Sequence, residues 1–168
     1  DVITRRGDIT DAPRDGTTEA WDAMMNLALN NLLSEDVYYQ KVAEQIDLVS
    51  FIDFLILELY AGNTDWPNNN WVAARNRTEN GKFVFYVWDV EQGMLPESLN
   101  WNGFYNPAGG LNYQERPIAE LYQALRKNPN FRQLFADRVH VHFFGDGALV
   151  NDNIMRHFVA LRGEVLNV

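Results

Sequence analysis

The sequence predicts an α+β fold, mostly helical, with one β-hairpin. Three observations give that class. Apolar residues recur at helical spacing in six separate stretches. The period changes to strict alternation only in "WVAAR" and "KFVFYVWD". Those two runs flank Asn80-Gly81, a hairpin signal because both residue types tolerate the positive φ of a type I′ turn.

Residues 1–17 are polar, with Asp-rich turns in "GDITDAPRDG", and are expected to form a short strand at most and then loop. "TTEAWDAMMNLALNNLL" reads as a helix capped by Thr17 or Thr18, with Trp21, Met24, Met25, Leu27, Ala28, Leu32 and Leu33 at helical spacing. "SEDVYYQKVAEQI" reads as a shorter helix, capped by Ser34 or Asp36. "DLVSFIDFLILELYAG" is the most apolar element, and its apolar positions nearly surround the helix, which argues for burial on most faces. Asp47 or Ser50 can cap it, and Gly62 supplies the stop. The hairpin is expected over Trp71–Arg75 and Lys82–Asp89. Residues 92–113 form a long loop of Gly, Asn, Pro and aromatic residues. Three helices follow, Glu115–Lys127, Asn130–Phe144 and Asn151–Leu166, the last two separated by Gly145 and Gly147.

At 168 residues with 46% hydrophobic content, the chain suits a single domain, 1–168, with a real core. The net charge of −9, with no dense Lys/Arg cluster, disfavours a nucleic-acid surface and an anionic membrane as partners. The absence of cysteine excludes disulfides, thiolate metal sites and thiol nucleophiles. No apolar run reaches the length of a membrane span. The first residue is Asp1 rather than Met, and the expectation is a segment of a longer protein.

The stretch "GNTDWPNNNW", Gly62 to Trp71, holds more amides than a turn needs. A two-residue turn at Asn80-Gly81 would place Asp89 opposite Val72 and Glu91 opposite Asn70. The open end of the hairpin then gathers Asp65, Asn70, Asp89 and Glu91 into a group of hard oxygen ligands suited to Mg²⁺, Mn²⁺ or Ca²⁺. Asp89 is also in phase with Phe83, Phe85 and Val87, so an acid is expected on the apolar face, needing a partner. The bland alternative is a capped turn followed by a structural Asp at a strand end.

Other patterns carry less. His140 and His142 lie two apart on a helix and so on different faces, and His157 lies beyond the glycine break, which disfavours zinc. Trp101, Phe104, Tyr105 and Tyr113 could wall a sugar site, with Asp65 and Asp89 as the paired acids of a glycoside hydrolase. The alternative is a loop pinned to the core by its rings. Asn76-Arg77-Thr78 matches a glycosylation sequon in the hairpin loop.

"FIDFLILELYAGNTDWPNNNWVAARN" followed by "GKFVFYVWDVEQGM" resembles the CotH kinase family, and "FRQLFADRVHVHFFGDGALV" is similar to its helical tail. The resemblance runs from about Trp21 to the last helix and implies the C-terminal lobe of a protein-kinase-like fold. Asp65 and Asn70 stand at the interval of a kinase catalytic Asp and its metal-binding Asn. On that resemblance Asp65 is the catalytic base, and Asn70 and Asp89 hold Mg²⁺ or Mn²⁺ on the phosphates of ATP. Glu91 is an auxiliary metal ligand where other members carry Asp. Asn63, Asn68 and Asn69 support the loop. The acceptor implied is a protein Ser/Thr hydroxyl, on a surface or coat protein. No Gly-rich phosphate loop or V-A-I-K-type lysine occurs in the 168 residues, so the nucleotide-gripping N-terminal lobe is expected to lie outside them. The chain alone is expected to transfer phosphate poorly. A non-catalytic surface or assembly module on the same scaffold is the remaining alternative.

Overall fold

The computed structural model describes residues 1–6, 9–101, 103–104 and 116–166, without the side chains of residues 4–12 and 97. It is α+β and mostly helical, with a small antiparallel sheet. The elements in chain order are β1 (Val2–Arg6), β2 (Ile9–Asp15), α1 (Glu19–Leu29), α2 (Asp36–Ala43), α3 (Leu48–Ala61), β3 (Trp71–Ala74), β4 (Val84–Val87), α4 (Pro117–Leu125), α5 (Pro129–Phe143) and α6 (Asn151–Leu166). The chain divides into two compact units, Asp1–Arg132 and Gln133–Val168.

In the first unit the sheet has the order β2-β1-β3-β4. The expected N-terminal loop is instead a second hairpin, β1–β2, whose inner strand pairs with β3 from Val2↔Ala74 to Arg5↔Trp71. Polar strands with two register shifts carry little local signal; a distant partner holds them extended. Pro13 sits on the edge strand β2, where a missing N–H is tolerated.

The C-terminal hairpin is where the alternation places it, but its register differs by three residues. Trp71 faces Val87 and Val72 faces Tyr86, not Val90 and Asp89. No type I′ turn forms, because neither Asn80 nor Gly81 has positive φ. The loop is wider, closed by Gly81 N–H to the Thr78 carbonyl at 3.1 Å. Arg75 fills it, donating Nε to the Gly81 carbonyl at 2.8 Å. Gly81 is needed there for room, since a Cβ would collide with the Asn76 carbonyl.

The core lies between this sheet and the helices. Trp21 stacks on Trp71 at 5.4 Å and meets Phe83 edge-on at 5.3 Å. Phe51 packs on Phe85 at 4.7 Å. The segment before α3 fixes β4 directly: Phe83 N–H donates to Gln45 and Asp47 N–H to Phe83. Ser50 Oγ accepts from Phe85 N–H at 2.9 Å. α1 ends earlier than its apolar spacing suggests, leaving Leu32 60% exposed and Leu33 buried. Thr18 holds its N-cap position without a side-chain bond, and Glu35, not Ser34 or Asp36, precedes α2. Buried Asn128 ties the α1–α2 and α4–α5 connections, donating to Leu33 O at 2.9 Å and Asp36 Oδ1 at 3.0 Å.

In the second unit, Gly145 takes φ 58 after the helix end, as the sequence spacing anticipates. Asn153 of α6 donates to the carbonyls of Asp146 and Gly147 at 3.0 and 2.8 Å, which fixes the turn before it. Among the described residues, no helix is long and apolar enough to cross a membrane.

Candidate functional site

The site begins where α3 ends. Asp47 Oδ1 caps the start of the helix by accepting from Ser50 N–H at 2.9 Å. Gly62 ends it in the left-handed region at φ 60, with its N–H turned back to the Leu59 carbonyl. A side chain could not follow there, because a Cβ would stand 2.9 Å from the Ser98 carbonyl oxygen. The chain therefore leaves the helix abruptly into the Asn-rich loop.

That loop is anchored from below. Asn63 is fully buried and donates Nδ2 to Glu58 Oε2 at 3.0 Å. Trp66 sinks into the core against Phe54 at 5.9 Å and Phe104 at 5.2 Å, and the Trp66-Pro67 peptide is cis. Gly103 lets the chain cross the Trp66 ring, since a Cβ would lie 2.6 Å from it. Above these anchors Asn69 N–H closes on the Asp65 carbonyl at 2.8 Å. Asp65, Asn68 and Asn69 are half-buried, and Asn70 is almost covered.

Asn70 joins the two ends of the hairpin. Its Nδ2 donates to the backbone carbonyl of Asp89 at 3.2 Å. With three residues of register offset, the loop therefore meets Asp89, not Glu91. Both Asn70 and Asp89 have positive φ, 61° and 59°, an uncommon conformation for non-glycine residues that clusters at functional sites. Contrary to the alternation, Asp89 is exposed: β4 stops at Val87, itself 36% exposed, so the apolar face ends before the acid.

Glu91 lies in the same field. Its carboxyl is raised above the ordinary glutamate value, first by a hydrogen bond with the Asp89 side chain and also by the charges of Asp89 and Asp65. A carboxyl raised by neighbouring acids marks crowded negative charge, which a divalent cation would relieve. Among the described residues, no set of three or more His, Asp or Glu side chains forms a ready metal-ligand group. The donors on hand are thus the Asp89–Glu91 pair beside Asp65, with the Asn70 amide holding the backbone between them. This donor set of acids and an amide is the hard-oxygen type that Mg²⁺ or Mn²⁺ takes.

The sequence reading passes over Glu58. It is fully buried, and burial pushes its carboxyl up to about 7 against a smaller opposing effect of the Asn63 amide. The signal was available, since Glu58 follows Phe51, Phe54 and Leu55 at helical spacing, and all three are buried. The proposed aromatic sugar wall loses Phe104, which is buried and stacks on Tyr122 at 4.1 Å as part of the core. Tyr105 and Tyr113 lie outside the described residues. His140 stacks on Phe144, and His142 meets Arg138 at 3.3 Å.

The family model described as CotH kinase protein matches residues 4–165, nearly the whole chain. No curated protein and no solved structure matches it. The chain belongs to the CotH kinase family.

Proposed function

We propose that this CotH kinase family member provides the catalytic loop of a kinase-like phosphotransferase, which moves the γ-phosphoryl group of ATP to a protein Ser/Thr hydroxyl. The observation that carries the reading is the Asn70–Asp89 link, which holds the Asp65 loop beside Asp89 and Glu91, whose carboxyl is raised by the neighbouring acids. Asp65 orients the acceptor hydroxyl and takes its proton as the oxygen bonds to phosphorus and the bond to the ADP oxygen breaks. Asn70, Asp89 and Glu91 are the residues that would hold Mg²⁺ or Mn²⁺. The bound cation would neutralise charge on the phosphate oxygens. The buried supports beneath Asn63 and Trp66 keep Asp65 in one place, which suits a reaction governed by positioning and electrostatics.

Calorimetric titration with Mn²⁺, with and without ATP, tests this. The wild type is expected to bind Mn²⁺ with Asp89 and Glu91 among its ligands. Asp89→Ala is expected to lose at least tenfold in affinity. No binding heat, or equal affinity in Asp89→Ala, would refute the reading in favour of a non-catalytic module.

A further inference from the structure

Beneath the loop lies an incomplete pair. Glu58 is the only buried acidic side chain among the described residues. It receives one hydrogen bond, from Asn63 Nδ2 to Oε2. The second oxygen of each group, Glu58 Oε1 and Asn63 Oδ1, is buried and has no hydrogen-bond partner. With Glu58 ionised, both atoms are acceptors and neither can satisfy the other. Buried polar atoms in folded proteins are almost always paired, so the arrangement lacks one donor.

We propose that Glu58 carries a proton on Oε1 and donates it to Asn63 Oδ1, locking acid and amide into a two-pronged pair that positions the Asp65 loop. The proton supplies the missing donor, and both orphaned atoms are satisfied at once. The direction of Glu58's titration agrees: burial raises it to about 7, and no charged side chain is among the causes. Glu58 is a positioning residue acting through Asn63, five residues on, and touches no reacting atom. The pair also makes the loop's seat sensitive to pH near neutrality, because losing the proton leaves a buried carboxylate facing an amide oxygen. What the pair positions rests on the phosphotransfer reading; the pair itself does not.

Hydrogen exchange of the amides of residues 63–70, expressed as protection factors from pH 5 to 8, tests the pair. In the wild type, protection should fall by about a hundredfold across that range, tenfold per pH unit while only the open state is ionised. Glu58→Gln can make both hydrogen bonds without a titrating proton, so its protection should stay flat. Glu58→Ala should be unprotected throughout. A wild-type profile in Glu58→Gln, or full acid protection in Glu58→Ala, overturns the proposal. If Glu58→Ala fails to fold, Glu58→Gln decides alone. Mn²⁺ titration at pH 8 separates the two claims. Tighter binding by Glu58→Gln than by wild type supports positioning, and equal binding overturns it. No binding by either protein counts against phosphotransfer, while the exchange profiles still decide the pair.

Discussion

Replacing Glu58 by Gln should change how the stability of the whole protein depends on pH. The folded carboxyl titrates at about 7 against an ordinary value of 4.5. Between those values the unfolded chain releases a proton that the folded chain keeps, so stability must fall as pH rises. The contribution is complete below pH 4.5 and is lost once pH has passed about 7. At about 1.4 kcal/mol per unit, the interval corresponds to roughly 3 kcal/mol. Urea unfolding midpoints of wild type and Glu58→Gln, measured from pH 4.5 to 8, isolate this group from the other carboxylates. The wild-type midpoint should drop relative to Glu58→Gln by about 1–3 M urea, with the slope m unchanged. Parallel curves would show that Glu58 ionises in the folded protein without penalty, and the burial argument would be wrong.

Two further substitutions test the scaffold of the site. Asn128→Ala strands the buried carbonyl of Leu33, while exposed Asp36 regains water, so a loss of about 2–4 kcal/mol in chemical unfolding is expected. Asn70→Gly keeps the positive φ and loses only the bond to Asp89, whereas Asn70→Ala loses both. Ala should therefore be about 1 kcal/mol less stable than Gly at this position, the reverse of their usual order, in the same unfolding assay.

The parts of the fold that residues specify locally were legible. Asp47 and Gly62 delimit α3 as their capping chemistry requires, and α6 spans Asn151–Leu166 as its apolar spacing indicates. The β1–β2 hairpin was not legible, because its polar residues are held by pairing with a strand some seventy positions away. The register of β3 and β4 escaped for a related reason. Asn80-Gly81 points to a tight turn, but Arg75 bonds to the carbonyls of both Gly81 and Thr78 and stabilises a wider one. The meeting of the Asp65 loop with the Asp89 segment survived that offset, since any register of one hairpin brings its open ends together. The exposure of Asp89 did not follow from alternation, because the pleat stops at Val87. Glu58 could have been found by asking why an acid occupies a core position of the most apolar helix.

The sheet order makes the two jaws of the site unequal. Asn70 leads into β3, an interior strand bonded to β1 on one side and β4 on the other. Asp89 and Glu91 trail from the far end of β4, whose outer side is held near its start, at Phe83 by the segment before α3 and at Phe85 by Ser50, and whose last residues, Tyr86 and Val87, pair with β3. Fewer bonds hold the outgoing end of β4 than hold β3, so the second jaw is the one that shifts first. The Asp65 side acts as the anvil, and the acids beyond Val87 are the half that gives.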